Sequence, residues 1–302
     1  MTEQTVLITG ATGAVSSAVI DALAGSELKL RALVRDPAKA AALRARGVEL
    51  VRGDLDEAES LKEAFEGVTT LWLLTAVGPR APENSMNALW LARQAGVRRV
   101  VRLSAIGAAH DAPTRNGRLH ALSDAEVEAS GLDFTILRPH FFMQNMLGSA
   151  ASIAAQGAFY LAMGDARLGM VDVRDIAAMA ASVLRDDTGA HRSKIYTPTG
   201  PASISFAQVA RDIAAATGRA VQYVPVSLDA ARAAMLGAGM PPWIAGMLIE
   251  YSRAYAAGWG DFTTRHVQDV TSKEPRGFES FARDFRAAFS PAAAVSDAAR
   301  SA

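Results

Sequence analysis

Residues 6–20 read VLITGATGAVSSAVI, and this stretch decides the fold. A short apolar run ends at Thr9, two glycines follow at Gly10 and Gly13, and a helical pattern of small and branched apolar residues comes next. Strand, glycine turn and helix in this order predict a βα unit, whose opening helix amides favour an anion such as a dinucleotide pyrophosphate. The residues predicted to contact that pyrophosphate are Gly10, Thr12, Gly13, Ala14 and Val15.

The glycine spacing is an incomplete version of the GxGxxG fingerprint. A third glycine would fall at Ser16, where it allows a helix to pack closely on a strand. Serine is nearly as small, so we interpret Ser16 as a tolerated departure. A lone glycine turn also occurs in other α/β proteins, but its place before a regular βα alternation favours dinucleotide binding.

The first half of the chain alternates apolar strands with helices of about a dozen residues. The predicted strands are 6–8, 28–34, 48–51, 70–74, 99–103 and 134–137. Two of the predicted helices are 38–46 and 57–66, and Asp56 is the N-cap candidate of the second. This alternation predicts an α/β fold with a Rossmann-type doubly wound parallel sheet. The second half changes character, with short predicted strands at 164–171 and 193–198, and it predicts a smaller C-terminal α+β lobe that binds the substrate. We expect the core at 1–155, the lobe at 156–290 with helix 175–184 returning to the core, and a disordered tail at 291–302.

Composition excludes several classes of function. The 302 residues contain 31 Lys+Arg and 31 Asp+Glu, and this balance argues against nucleic-acid or membrane-surface binding. The absence of cysteine excludes disulfides and a thiol nucleophile. We see no signal peptide, no spanning segment and no paired histidine spacing for a metal. We therefore expect a cytoplasmic protein with no metal, nucleic-acid or membrane partner, and a homodimer remains open.

The end of the second predicted strand discriminates between cofactors. Arg35 stands first after this strand, and its guanidinium suits the 2′-phosphate of NADP(H), with Lys39 one turn further on. The alternative is that Arg35 is a solvated loop residue and Asp36 holds the ribose of NAD. We favour NADP(H).

Three further strand ends carry cofactor candidates. Asp54 and Leu55 follow the third strand, where Asp54 can accept from the adenine amino group while Leu55 packs on the ring; a helix-capping role for Asp54 is the alternative. Thr75, Ala76 and Ser104 leave the next two strands, and their small size lets a cofactor lie flat.

These segments resemble the NmrA-like members of the atypical short-chain dehydrogenase/reductase family. The matching residues are GATGAVS at 10–16, VRDP at 34–37, GDL at 53–55, AGVRRVVRLSAIGA at 95–108, SGLDFTILRP at 130–139 and VDVRDIA at 171–177. The chain is more similar to the quinone oxidoreductase, triphenylmethane-dye reductase and azoreductase branch than to the sugar epimerases. The resemblance implies a Rossmann core, NADP(H) and a small lobe over the nicotinamide.

The family's usual Tyr-x-x-x-Lys pair is missing. Alignment on Asp124 puts Asn116 at the tyrosine position and His120 at the lysine position. We therefore do not expect the usual proton relay. His120 is the catalytic candidate, because it can bond the nicotinamide ribose or relay a proton with an ordinary pKa near neutrality. The alternative is a helix-face histidine bonded to backbone or to Asp124.

An apolar stretch, PHFFMQN at 139–145, follows the sixth strand. Its family counterpart contacts the nicotinamide ribose and lines the substrate pocket, which implies cofactor contacts from Pro139 and Phe142. The predicted pocket residues are Phe142, Met143, Met170, Trp243, Tyr251 and Tyr255. A plain amphipathic core stripe is the alternative for each of them.

Other polar residues receive structural interpretations. Arg98, Arg99 and Arg102 flank the fifth strand and are interpreted as a solvated edge, while Asp172 and Asp175 are interpreted as a helix cap and a first-turn carboxylate. The leading hypothesis is an NADPH-dependent reductase that passes hydride directly to a conjugated apolar acceptor, such as a quinone or azo compound. The rival is a non-catalytic NAD(P)-sensing regulatory protein, and a weaker third option is an epimerase.

Overall fold

The structure is a computed structural model, and it describes residues 4–291. The predicted tail therefore lies outside the described residues except for its first position.

A seven-stranded parallel sheet forms the centre of the molecule, in the order β3-β2-β1-β4-β5-β6-β9. The strands are β1 Thr5–Ile8, β2 Lys29–Val34, β3 Glu49–Arg52, β4 Thr70–Leu73, β5 Arg99–Leu103, β6 Asp133–Leu137, β7 Ala158–Leu161, β8 Arg167–Leu168, β9 Lys194–Tyr196, β10 Ile204–Ser205 and β11 Gln222–Pro225. In the centre, Ile8 pairs with both Ala32 and Trp72. The order reverses between β1 and β4, which is where Rossmann-type sheets bind nucleotides. The predicted fold class is confirmed.

Helices cover both faces of this sheet and build the second lobe. They are α1 Ala14–Ala22, α2 Ala41–Arg44, α3 Lys62–Phe65, α4 Ala81–Gln94, α5 Arg115–Ala129, α6 Ala150–Gln156, α7 Val173–Arg185, α8 Phe206–Thr217, α9 Leu228–Gly237, α10 Pro242–Ala256, α11 His266–Thr271, α12 Phe278–Asp284 and α13 Arg286–Phe289. Among residues 4–291, none of the helices combines the length and the apolarity that crossing a bilayer requires.

Apolar side chains form one core on each face of the sheet. Val19 of α1 and Ile176 of α7 pack on one face, and Phe65 and Leu89 pack on the other. Each such fully buried side chain contributes about 1.5–3 kcal/mol to folding. Helix α7 packs directly against α1, so a helix from the second half of the chain completes the first layer. The domain boundary at residue 155 stays a prediction.

The C-terminal lobe has its own aromatic core, which includes Phe159, Phe206 and Phe281. Two small sheets frame it, because β7 pairs in parallel with β11 and β8 pairs in antiparallel with β10. The strand expected at 164–171 shrinks to the two residues of β8. A Cβ at Gly169 would lie 2.3 Å from the Phe262 carbonyl oxygen, so this segment packs against another backbone where a longer strand was expected.

Two predicted helices are shorter than their apolar pattern indicated. The segments 38–46 and 57–66 each begin as a 3₁₀ turn, at Pro37–Ala40 and Ala58–Leu61, before a four-residue α-helix. Asp56 was a cap candidate for the second segment, but the N-cap is Glu57. The backbone N–H of Asp56 instead donates to Asp54 Oδ1 at 3.1 Å, which closes a tighter turn upstream.

Candidate functional site

The glycine turn after β1 has the geometry that a phosphate requires. Gly10 adopts a left-handed conformation with φ +60°, and a Cβ there would lie 2.7 Å from Leu74 Cδ2. Gly13 is the N-cap of α1 and offers no side-chain cap. Thr12, Gly13 and Ala14 are exposed, so the first-turn amides of α1 face solvent as hydrogen-bond donors. This donor set fits an anionic pyrophosphate.

Ser16 does more than replace a glycine. Its buried hydroxyl donates to the Thr9 carbonyl at 3.0 Å and accepts the Trp72 indole N–H at 2.9 Å. A glycine at this position would leave the fully buried Trp72 nitrogen without its partner, at a cost of about 1–3 kcal/mol. Serine therefore fixes the packing of α1 on β1 and β4 by hydrogen bonding.

The loop after β2 separates the roles of its two charged residues. The Asp36 carboxylate accepts the Ala38 N–H at 3.0 Å and lies 4.0 Å from Lys39 Nζ. Asp36 therefore caps the following turn. Arg35 is exposed and makes no ion pair with any residue between 4 and 291. Its guanidinium is available to an external phosphate.

Asp54 is held by its own turn. Its Oδ1 accepts the Asp56 N–H at 3.1 Å, and its backbone N–H donates to Ser60 Oγ at 2.9 Å. Leu55 is half-buried beside it. One carboxylate oxygen of Asp54 is thus engaged in a turn upstream of the Glu57 N-cap, which differs from the helix-capping role that the sequence left open. At the exit of β4, Thr75 is half-buried and Ala76 is exposed.

A buried charge network lies between β5, β6 and α5. Arg102 Nε donates to Asp124 Oδ1 at 2.7 Å, and Arg102 Nη1 donates to Ser85 Oγ at 3.1 Å. Asp124 Oδ2 accepts from Ser104 Oγ at 2.8 Å and from Arg138 Nε at 2.9 Å. The solvated-edge interpretation is wrong for Arg102, which is 0% exposed. Because β5 is a central strand covered on both faces, its side chains from Val100 to Leu103 are buried.

His120 is tied to this network and is neutral. Its Nδ1 lies 3.2 Å from Arg102 Nη2, and arginine only donates, so Nδ1 accepts and the proton sits on Nε2. Burial, and then the positive charges of Arg102 and Arg138, lower the pKa of His120 to about 3. The pKa of His120 thus lies far below the ordinary value near neutrality, and its Nδ1 is bonded to Arg102, whereas the alternative interpretation placed it against backbone or Asp124. At neutral pH His120 is a hydrogen-bond donor through Nε2 and holds no acidic imidazolium proton.

The tyrosine position of the family motif has an unforeseen neighbour. Asn116 is buried in the first turn of α5, and its Nδ2 donates to the Tyr251 hydroxyl oxygen at 3.0 Å. Arg115 pairs with Glu250 at 2.8 Å, which fastens α5 to α10. Tyr251 stacks on Tyr255, with ring centroids 5.6 Å apart. The C-terminal lobe therefore supplies a phenol where the motif lacks one.

Half of the predicted pocket residues are core residues. Met143 and Met170 are each 1% exposed and Tyr255 is 3% exposed, and all three belong to the lobe core. For these residues the pocket prediction is not supported, because side chains this deeply packed contact a ligand only if the lobe rearranges. Phe142, Trp243 and Tyr251 are half-buried and retain accessible surface.

The segment after β6 is held by His140. The ring Nε2–H donates to the Gly260 carbonyl at 2.9 Å, and Nδ1 accepts the Phe141 N–H at 2.7 Å. Burial lowers the pKa of His140 to about 4, against a smaller opposing effect of the Gly260 bond. Pro139 is buried next to it. The neutral ring thus anchors the lobe beside the exit of β6.

Asp172 and Asp175 have the structural roles expected for them. Asp172 is the N-cap of α7 and accepts the Arg174 N–H at 2.8 Å, while Asp175 accepts the Arg276 N–H at 2.7 Å. Between residues 4 and 291, no three His, Asp or Glu side chains converge as a metal site would require.

The cofactor candidates share one edge of the sheet. The Gly10 turn, Thr75, Ser104 and Pro139 follow the carboxyl ends of β1, β4, β5 and β6, which are parallel neighbours. Ser104 turns its hydroxyl away from this edge into the buried network. The arrangement can hold an extended dinucleotide along the edge, with Asn116, His120 and Tyr251 at its β5 side.

Comparison with known proteins gives concordant matches. The model of the NmrA-like family matches residues 2–257. An NAD(P)H azoreductase from Xenophilus azovorans is 38% identical over 95% of this chain and 100% of its own length. Quinone oxidoreductase 2 of Escherichia coli strain K12 is 31% identical over 81% of this chain and 86% of its own. The crystal structure of an NADPH-dependent quinone oxidoreductase from Escherichia coli in complex with NADPH aligns with a TM-score of 0.83 at 26% identity, over 93% of this chain and 99% of the other.

Proposed function

This chain belongs to the NmrA-like family, and on that premise we propose that it is an NADPH-dependent reductase that passes a hydride directly to a conjugated apolar acceptor. The observation that carries the proposal is a glycine turn at Gly10 and Gly13 that suits a dinucleotide, on the same sheet edge as the two relay positions, which hold Asn116 and a neutral His120. The azoreductase and quinone oxidoreductase names of the matched relatives support a quinone or azo compound as the acceptor class.

The residues present fit NADP(H). The segment from Gly10 to Val15 would hold the pyrophosphate with the open amides of α1. The Arg35 guanidinium, which forms no ion pair with residues 4–291, would hold the 2′-phosphate. The other proposed cofactor contacts are Asp54, Leu55, Thr75, Ala76, Ser104, His120, Pro139 and Phe142. When bound, NADPH supplies the hydride.

Catalysis in this proposal rests on positioning. His120 carries its proton on Nε2, because Nδ1 accepts from Arg102, and no residue between 4 and 291 accepts this Nε2–H. It would therefore donate to a ribose or amide oxygen of the cofactor. Phe142, Trp243 and Tyr251 offer apolar surface that would orient a flat acceptor and exclude water. A neutral imidazole with a pKa of about 3 is not the proton source at neutral pH.

A non-catalytic NAD(P)-sensing regulator is the second candidate. The observation that favours it is the same pair, Asn116 and neutral His120, because neither side chain is an acid at neutral pH. Tight cofactor binding without turnover, together with a co-purifying protein partner, would identify this function.

The two candidates differ in a direct assay. The purified protein should oxidise NADPH when at least one member of a panel of quinones, azo dyes and activated alkenes is present. Absence of NADPH oxidation across the whole panel, with cofactor binding intact, would reject the reductase. A homodimer and a cytoplasmic location stay predictions, and light scattering of the purified protein tests the first.

A further inference from the structure

Within residues 4–291, the Tyr251 hydroxyl accepts a hydrogen bond and donates none. Asn116 Nδ2 can only donate, so the phenol oxygen accepts at 3.0 Å. The Thr114 side chain, at the N-cap of α5, also lowers the pKa of this phenol. Because the phenol oxygen accepts from Asn116 and its O–H donates to no residue between 4 and 291, this O–H is available to a ligand.

The phenol stays protonated at neutral pH. Burial raises the pKa of Tyr251, and the smaller opposing influences of Asn116 and Thr114 only partly offset this shift. The group is therefore present as a donor under ordinary conditions. The accessible surface that the half-buried side chain retains leaves room for a contact from outside.

Tyr251 lies at the exit of β5. Asn116 belongs to the first turn of α5, which follows the β5 loop, and the Arg115–Glu250 pair locks this turn to α10. Trp259 packs against the same loop, since a Cβ at Gly107 would lie 2.2 Å from its Cζ2. Tyr251 and Trp259 have ring centroids 6.2 Å apart. The aromatic pair thus covers the edge where the reacting end of the cofactor is proposed to lie.

We propose that the Tyr251 hydroxyl is the catalytic acid of the reductase, which bonds the heteroatom of the acceptor on which negative charge accumulates and then delivers the proton to it. This inference rests on the proposed function. The two electrons arrive as hydride at one end of the acceptor's conjugated system, and the charge moves to the oxygen or nitrogen at the other end. The phenol O–H breaks as the new O–H or N–H bond forms. The phenolate is reprotonated by water, and NADPH ends as NADP⁺.

Binding measurements test the hydrogen bond between the Tyr251 hydroxyl and the acceptor without any turnover. Protein saturated with NADP⁺ is titrated with anthraquinone-2-sulfonate, which has carbonyl acceptors, and with anthracene-2-sulfonate, which has none. Tyr251→Phe should weaken the binding of the quinone about 2- to 12-fold, which corresponds to one hydrogen bond. The affinity for the hydrocarbon should change by less than about twofold. Equal effects on both ligands, or none, would overturn the proposal and leave Tyr251 a structural link between the lobes.

Tyr223→Phe is the matched control. Tyr223 is a half-buried tyrosine of the same lobe, and its hydroxyl bonds the backbone carbonyls of Leu161 and Gly164 at 3.2 and 3.0 Å. This variant should leave both affinities unchanged, and a quinone-specific loss in it would count against the assignment to Tyr251.

Turnover separates the two proposals. An active wild type whose Tyr251→Phe variant keeps its kcat and its quinone affinity refutes only the role of Tyr251. A wild type that binds NADP⁺ but never oxidises NADPH refutes the reductase, and it refutes the acid role with it.

Discussion

Replacing Asp124 by asparagine should strongly destabilise the protein. Asp124 is 1% exposed and neutralises Arg102, which is 0% exposed, at 2.7 Å. Its other oxygen accepts from Ser104 and Arg138. An amide of the same size keeps the volume but removes the negative charge, so Arg102 remains buried without a counter-charge.

The expected loss of stability in Asp124→Asn follows from the burial of Arg102 and Asp124. Breaking a buried ion pair by removing one partner costs about 3–5 kcal/mol. With an unfolding entropy of about 2.1 cal/mol/K per residue, a chain of 302 residues gains about 0.6 kcal/mol/K on unfolding, so Tm should fall by about 5–8 °C. Arg138 is 23% exposed at its side chain and can turn to solvent, which keeps the cost from rising further.

Thermal unfolding followed by circular dichroism measures this loss. The control is Glu59→Gln, which removes the partner of Lys62 from an ion pair whose side chains are 79% and 62% exposed. Exposed pairs contribute about 0–1 kcal/mol, so its Tm should change by less than about 2 °C. The double variant Arg102→Met, Asp124→Leu should be more stable than Asp124→Asn, because no charge is left buried. A Tm loss in Asp124→Asn no larger than that of the control would refute the reasoning.

Three further predictions address the cofactor edge and the buried His140. Arg35→Ala should weaken NADPH about 10- to 100-fold in a binding titration, the worth of a charge-assisted hydrogen bond, and weaken NADH little; equal losses would contradict the 2′-phosphate assignment. Gly10→Ala should abolish NADP⁺ binding and lower the free energy of unfolding by about 1–2 kcal/mol or more. The control is Gly25→Ala, where φ is +74° and no atom lies within 4 Å of the added Cβ, so this variant should lose only the stability that the left-handed backbone costs an alanine. Because the folded-state pKa of His140, about 4, is below its unfolded value, the unfolded chain binds more protons between these values, and the stability that His140 contributes falls as pH drops through 6.5 toward 4. From pH 7 to 5 this loss is about 2 kcal/mol, and urea unfolding of His140→Gln should show a pH dependence smaller by that amount.

Local patterns in the sequence specify most of the core fold. The glycine turn at Gly10 and the alternation of apolar strands and helices predict the parallel sheet, because each signal is contained within about a dozen residues. The NmrA-like family, indicated by the ordered series of motifs, is confirmed by the match over residues 2–257. The strand β7 was missed because its four residues give no alternation to recognise, and it forms only by pairing with β11.

The details of the site depend on contacts between distant residues. Arg102 meets a carboxylate 22 positions away, and Asn116 meets a phenol 135 positions away. An arginine inside the apolar run RVVRL does signal a buried charge that needs a partner, but the run cannot say which one. Apolar pattern alone also cannot separate a pocket wall from a core residue, as Met143 and Met170 show. The low pKa of His120 follows from its burial and from two arginines, Arg102 and Arg138, that lie outside its helix.

Direct hydride transfer is the central claim, and isotope labelling tests it. Purified protein is mixed in a single turnover with an activated alkene and NADPH that carries deuterium at both C4 positions. The account predicts a reduced product with one deuterium on carbon, formed with a primary isotope effect. A product whose new carbon-bound hydrogen comes only from solvent would contradict direct transfer. No product with any acceptor of the panel, despite bound cofactor, would contradict the reductase itself.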